Sequence, residues 1–209
     1  MKENMDAKVN ILIDGGFFVL KFKEREGRLP NANDIEAEVT KIMAETQRKT
    51  GTDCKDILFR VFYYDCSPFD GKVKKPGDTA ETDFSQTKAY TAKERVLKAL
   101  AQKERFAVRL GELSFDGWNE VKKTDPATGV VTTDYTPKLK QKGVDMKVGL
   151  DMALMALKHT VDKVVLVAGD SDFVAPMKFV RKEGLQVYLY SMGHKVKAKL
   201  IEHSDFILS

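Results

Sequence analysis

Val164-Val165-Leu166-Val167-Ala168-Gly169-Asp170-Ser171-Asp172-Phe173 decides the fold of this chain. The five residues from Val164 to Ala168 are small or branched and apolar, and Lys163 and Gly169 bound them. Such a run is too short for a helix and suits a strand buried on both faces. Phe173, Met177 and Val180 follow at spacings of four and three and stop before Gly184, which is a helical pattern with a glycine terminator. The stretch therefore predicts a strand, an acidic turn and a helix. Asp170 and Asp172 stand at the carboxyl edge of that strand, where open α/β sheets place their ligands. The competing interpretation is that Ser171 or Asp172 merely caps the helix.

The same pattern recurs near the start. Val9-Asn10-Ile11-Leu12-Ile13 runs into Asp14-Gly15-Gly16, a strand leaving on a carboxylate with glycines that permit a sharp turn. A dinucleotide fingerprint would need GxGxxG here, and it is absent. Apolar packing resumes at Phe17-Phe18-Val19-Leu20. Asn33 or Asp34 then heads a helix with Ile35, Val39, Ile42 and Met43 on its buried stripe, ending at Gly51. Ile57 to Asp65 is the most strand-like run, rich in aromatic and branched residues, and it too ends on an acid. Residues 66–83 read as an exposed loop. A helix through Ala89, Ala92, Val96, Leu97 and Leu100 and a strand from Phe106 to Phe115 follow.

Trp118 to Pro137 has two β-prone flanks around Asp125-Pro126-Ala127-Thr128-Gly129, the pattern of an inserted β-hairpin. Exposed strands in such an arm offer a route to a homo-oligomer. Lys142-Gly143-Val144-Asp145 then opens a helix from Met146 to His159 that is apolar almost all round and so is expected to be buried. Asp145 can cap it, Asp151 needs a partner within it, and Gly149 implies close packing against the sheet. Gln186 to Tyr190 is a further strand, Lys195 to Glu202 a helix and Asp205 to Leu208 a last strand. This order predicts an α/β fold in one domain spanning residues 1–209: a mostly parallel sheet with helices on both faces and a hairpin at 118–137.

With 43% hydrophobic and 32% charged residues in 209, the composition is that of a soluble globular protein rather than a disordered or fibrous one. The polar start, Met1 to Asp6, the lack of any apolar run of membrane-spanning length, and two cysteines without a CxxC pair fit a cytoplasmic protein with no membrane association. The net charge of +4 is mild, but Lys178, Arg181, Lys182, Lys195, Lys197 and Lys199 face only Glu183 in their segment. Clustered cations of this kind attract polyanions.

Short right-handed connections would bring Asp14, Asp145, Asp170 and Asp172 to one edge of the sheet. Like charges so close repel, and a cation relieves them. Oxygen ligands without a placed histidine or cysteine select Mg²⁺ or Mn²⁺. Such an ion beside basic residues suits phosphodiester hydrolysis, with Lys138, Lys140, Lys142, Arg181, Lys182, Lys195 and Lys197 as contacts for nucleic acid. Ser171 has no base placed beside it for nucleophilic catalysis. A phosphatase of the haloacid dehalogenase type expects a second acid two residues after the first, where this chain has Gly16. His194 is a candidate phosphate contact or a surface residue. Trp118, Tyr63 and Tyr64 are candidates for base stacking, with the core as the alternative for the tyrosines.

Ile13-Asp14-Gly15-Gly16-Phe17-Phe18, Lys142-Gly143-Val144-Asp145 with Asp151 beyond it, and Gly169-Asp170-Ser171-Asp172-Phe173 resemble the signature of NYN-domain proteins of the LabA-like group. The resemblance spans nearly the whole chain. It implies a PIN-like three-layer sandwich and a metal-dependent endoribonuclease acting on RNA or single-stranded nucleic acid. In that scheme Asp14, Asp145 and Asp170 hold the ion, Asp172 assists catalysis, and Asp151 and Ser171 are possible additions. Many relatives carry an asparagine where this chain has Gly16-Phe17. A non-catalytic RNA-binding or regulatory module is the alternative that the same surface allows.

Overall fold

The computed structural model describes residues 6–51, 54–126 and 128–209; the polar start at Met1 to Met5 and Ala127 of the hairpin turn lie outside them. In chain order the elements are β1 (Ala7–Asp14), α1 (Gly15–Glu26), α2 (Ala32–Thr50), β2 (Asp56–Cys66), β3 (Lys72–Lys74), β4 (Glu81–Asp83) and α3 (Lys88–Ala101). They continue as β5 (Phe106–Thr124), β6 (Val131–Lys142), α4 (Val144–Leu157), β7 (Lys163–Val167), α5 (Val174–Lys182), β8 (Gln186–Tyr190), α6 (Ala198–Glu202) and β9 (Phe206–Leu208).

The main sheet runs β6-β5-β2-β1-β7-β8-β9, parallel throughout except for the β5–β6 pair. Its strands feed two cores. Leu12, Phe62, Tyr64, Val164 and Leu166 pack with Val148, Met152, Met177 and Val180 of α4 and α5. Ile11, Ile13, Tyr63, Val165 and Val167 pack with Phe18, Ile35, Val39 and Leu100 of α1, α2 and α3. Successive strand residues thus enter opposite cores, which is why β7 from Val164 reads as an unbroken apolar run and β1 as one interrupted within its packed length only by the buried Asn10. The outcome is the expected three-layer α/β architecture with a mostly parallel sheet.

Several local expectations are revised. Phe17 to Leu20 lie in a helix, α1, that period alone did not reveal because its apolar residues are crowded into the first turns. Asn31, rather than Asn33 or Asp34, caps α2; its side chain accepts from Asn33 and Asp34 N–H while the Asp34 carboxylate accepts from Asn31 N–H, a reciprocal box. Residues 66–83 are more than a loop, since β3 and β4 pair within them. Helix α4 is not buried all round: Met146, Leu150, Leu154 and Leu157 form an exposed apolar face. Gly149 meets a helix and not the sheet, as a Cβ there would lie 3.3 Å from Pro176 of α5.

The hairpin is longer than 118–137. β5 passes without interruption from the sheet into the arm, and β6 pairs with it from Thr124↔Val131 back to Glu112↔Lys142, with one bulge between Phe115 and Trp118. Trp118 is not a free platform for bases. Its ring lies 5.6 Å from Phe115 and 6.4 Å from Phe84, its Nε1–H donates to Lys74 O at 3.1 Å, and Phe69 completes the cluster against Phe115 and Phe84. The root of the arm is thereby fastened to the β3–β4 segment. Replacing Trp118 with Ala is expected to loosen the arm alone: by hydrogen exchange, amides of residues 118–137 should exchange about tenfold faster or more, while those of β1 and β7 stay protected.

Candidate active site

β1 and β7 are parallel neighbours, Ile13 opposite Val167, so their ends emerge together. Asp14 is both the last residue of β1 and the N-cap of α1, its Oδ1 accepting the Phe17 N–H at 3.2 Å. The turn between them is tight. A Cβ on Gly15 would fall 2.7 Å from Tyr64 O and 2.9 Å from the Tyr63 ring, so only glycine lets α1 begin flush against β2. A Cβ on Gly169 would fall 2.6 Å from Phe17, so the Phe17 ring closes directly over the exit of β7. In this chain the Gly16-Phe17 pair thus supplies packing between the two acidic turns.

Asp170 accepts the Asp172 N–H at 3.1 Å and caps the short 3₁₀ turn Ser171–Phe173 that leads into α5. The capping function expected of Ser171 or Asp172 therefore falls to Asp170, and Asp172 projects from the turn. Asp145 lies in the first turn of α4 without capping it; the chain turns into that helix through Gly143, whose φ of 78° lies in the left-handed region.

These carboxylates sense one another. The Asp14 carboxyl is pushed up to about 6, chiefly by burial and further by Asp145 and Asp65, against the lowering effect of the Phe17 N–H. Burial also raises the Asp145 carboxyl, with Asp170 and Asp172 adding repulsion. Asp14, Asp145, Asp170 and Asp172 thus form one coupled cluster, and Asp65 joins it. Asp65 is the acid that ends the β2 run, buried and held by Lys93 Nζ at 2.7 Å. Its position at a third strand exit was its signal in the sequence.

Asp151 stands apart, accepting from Tyr64 OH at 2.9 Å and paired with Arg109 Nε at 3.2 Å. Tyr63 and Tyr64 are core residues. Ser171 Oγ accepts from Lys197 Nζ at 3.0 Å, which brings Lys197 and the Lys195 loop after β8 to the acidic edge. Lys138 and Lys140 are bound to Asp116 at 2.9 and 2.8 Å on the arm, and Lys142 is exposed at its root. Arg181 and Lys182 are not part of this edge. They occupy the last turn of α5, and Arg181 is bonded to Asp205 at 2.8 Å, beside the start of β8 at the far end of the sheet. His194 faces Glu24 of α1, with Nδ1 3.8 Å from its carboxylate.

Among the described residues no three histidine, cysteine or acidic side chains converge tightly enough to hold a metal ion by themselves. The donor set is nonetheless carboxylate throughout and mutually repelling, which fits a hard divalent cation. Mg²⁺ in particular binds through one or two carboxylates and completes its shell with water and substrate phosphate.

The raised Asp14 carboxyl, chiefly an effect of burial, gives a pH signature. With its folded pKa near 6 and its unfolded value near 4, ionised Asp14 penalises the folded state. That penalty is absent below about pH 4 and complete above about pH 6. Asp14→Asn keeps an oxygen for the Phe17 N–H and removes the charge. In EDTA it should raise stability by on the order of 2 kcal/mol at pH 8, with the gain vanishing at pH 4 in thermal melts.

A crystal structure of a protein of unknown function from Vibrio parahaemolyticus superposes on the chain with a TM-score of 0.53 and 16% sequence identity, covering 100% of this chain and 95% of the other. It shares the fold. No curated protein matches the sequence. Residues 81–209, which carry Asp145, Asp170 and Asp172, match the NYN domain model. With well over half its length so matched, the chain belongs to the NYN domain family, a branch of the PIN-like nuclease superfamily.

Proposed function

We propose that this protein is a metal-dependent endoribonuclease of the LabA-like kind, cutting RNA or single-stranded nucleic acid with Mg²⁺ or Mn²⁺. The observation that carries the proposal is the placement of Asp14 and Asp170 at the adjacent exits of the parallel strands β1 and β7, each capping the turn that follows it, with Asp172 on the second turn and Asp145 in the first turn of α4. NYN domains are generally nucleases, and that family context supports the same conclusion. No helix among the described residues is long and apolar enough to cross a membrane.

Asp14, Asp145 and Asp170 would hold the ion. When bound, the ion supplies an activated water and neutralises charge developing on the phosphate. The remaining work falls to the chain. Asp172, free of the cap, is positioned at the turn to orient water or accept its proton. Lys195 and Lys197 give the edge a cationic margin for the phosphodiester backbone, and Lys142 stands at the root of the arm. Asp14 and Asp170, each engaged by one oxygen in a backbone cap, present rigid carboxylates, so little ordering is required when substrate arrives. Asp151, committed to Tyr64 and Arg109, braces α4 against β2 and β5, and is assigned a positioning role for Asp145 six residues earlier.

The alternative module, binding RNA without cutting it, is favoured by one observation: the carboxylates do not close around a site by themselves. Labelled single-stranded RNA incubated with the protein and Mn²⁺ or Mg²⁺ separates the two. The nuclease predicts cutting that EDTA abolishes and that Asp170→Asn, which retains the capping oxygen, reduces by roughly 100-fold or more. Full activity in that variant, or binding without cutting in every metal, overturns it.

A further inference from the structure

Beside the acidic edge, α1 and the segment after it face α3 across a cleft of about 420 Å³. Its volume falls within the roughly 300–1,000 Å³ range of small-ligand sites. One wall is Ala89, Ala92 and Val96, which recur along a single face of α3; the other is Val19 with Leu29 and Pro30. Ala89 and Ala92 are small and exposed. Tyr63 lines the inner end.

The cleft reaches the turn that follows Asp14 and includes Asp65. Gly15 and Gly16, directly after Asp14, and Asp65 all line it, as does Lys93, which bridges from α3 to Asp65. Gln141 of β6 lies at the same mouth; its amide approaches Gly16 and has no hydrogen-bond partner among the described residues. A primary amide offers a donor and an acceptor side by side, the pair that matches the edge of a nucleobase. The larger depression, about 500 Å³ around Arg25, Glu38 and Tyr190, is different in kind, because its charged groups already satisfy one another.

We propose that the α1–α3 cleft seats one nucleobase of the substrate strand beside the cleavage point, with Gln141 reading its edge; this rests on the nuclease function proposed above. Single-stranded RNA supplies such an occupant, since its bases can leave the stack and enter apolar slots. A strand laid along the acids would have its flanking base turned between the alanine face of α3 and Leu29, leaving the phosphate at the Asp14 turn. The enzyme would then prefer certain bases at one position next to the cut.

The test is binding of the four ribonucleoside 5′-monophosphates, with ribose 5-phosphate as the control lacking a base, followed by NMR in Mg²⁺ and in EDTA. Ala92→Leu and Ala89→Leu each fill the cleft from a solvent-facing helical position, and Ala92→Ser leaves it open. At least one monophosphate should bind about tenfold more tightly than ribose 5-phosphate. Both leucine variants, melting as the wild type does, should lose that margin, and the serine variant should keep it. Equal binding of all the monophosphates and the sugar phosphate, or unchanged binding in both leucine variants, overturns the proposal. Loss of base-dependent binding in the leucine variants, in a protein that cuts no RNA in any metal, would support the base site while removing the nuclease function.

Discussion

Burial of β1 and β7 on both faces is the constraint from which the rest of this molecule follows. Each contributes alternate residues to two separate cores, where a polar side chain is costly; Asn10 of β1 is the exception, buried with its amide donating to Met155 Sδ at 3.2 Å and its Oδ1 without a hydrogen-bond partner among the described residues. The carboxylates stand at the strand ends. Because the two strands are parallel neighbours, those ends coincide, and each acid arrives with a helix or 3₁₀ turn starting directly on it. The caps make the arrangement economical. A carboxylate that satisfies the first amides of a helix is held in place while one oxygen stays outward.

The same geometry sets the cost. Asp14 and Asp145, partly withdrawn from water and facing other carboxylates at one edge, resist ionisation. Packing elsewhere must outweigh that strain, and the contact of Phe17 with Gly169 shows how closely the two turns are pressed together. Here the apolar residue after Gly16 serves the alignment of the acids, so the first motif is mechanically coupled to the second across the sheet.

Much of this was legible in the sequence because strand burial and helix spacing leave strong patterns. The runs from Val9 to Ile13 and Val164 to Ala168 identified the two central strands, and the acids ending them identified the edge. What was not legible depended on contacts between distant segments. Nothing local announces that Lys93 would reach Asp65, that Arg181 would be drawn to Asp205 at the opposite edge, or that Asp151 would be taken by Tyr64 and Arg109. Helix α1 was hidden because its apolar residues bunch in the first turns and its later ones are charged. The continuity of β5 into the arm was hidden because a bulge at Asp116 and Gly117 looks, in sequence, like the end of a strand. The exposed face of α4 escaped notice because an apolar composition on all sides says nothing about which side a neighbour covers.

The arm also divides the chemistry along the chain. Asp14 and Asp65 precede its tip, whereas Asp145, Asp170 and Asp172 follow it, and the strands on either side are joined by a ladder from Glu112↔Lys142 to Thr124↔Val131. Covalent continuity through the tip is thus separable from cohesion of the site. β1 from the first half is locked beside β7 from the second by sheet bonds and both cores. A chain opened at the tip would be two complementary fragments, each carrying part of the acidic edge and neither carrying all of it, so that reassembly of the halves would itself rebuild the site.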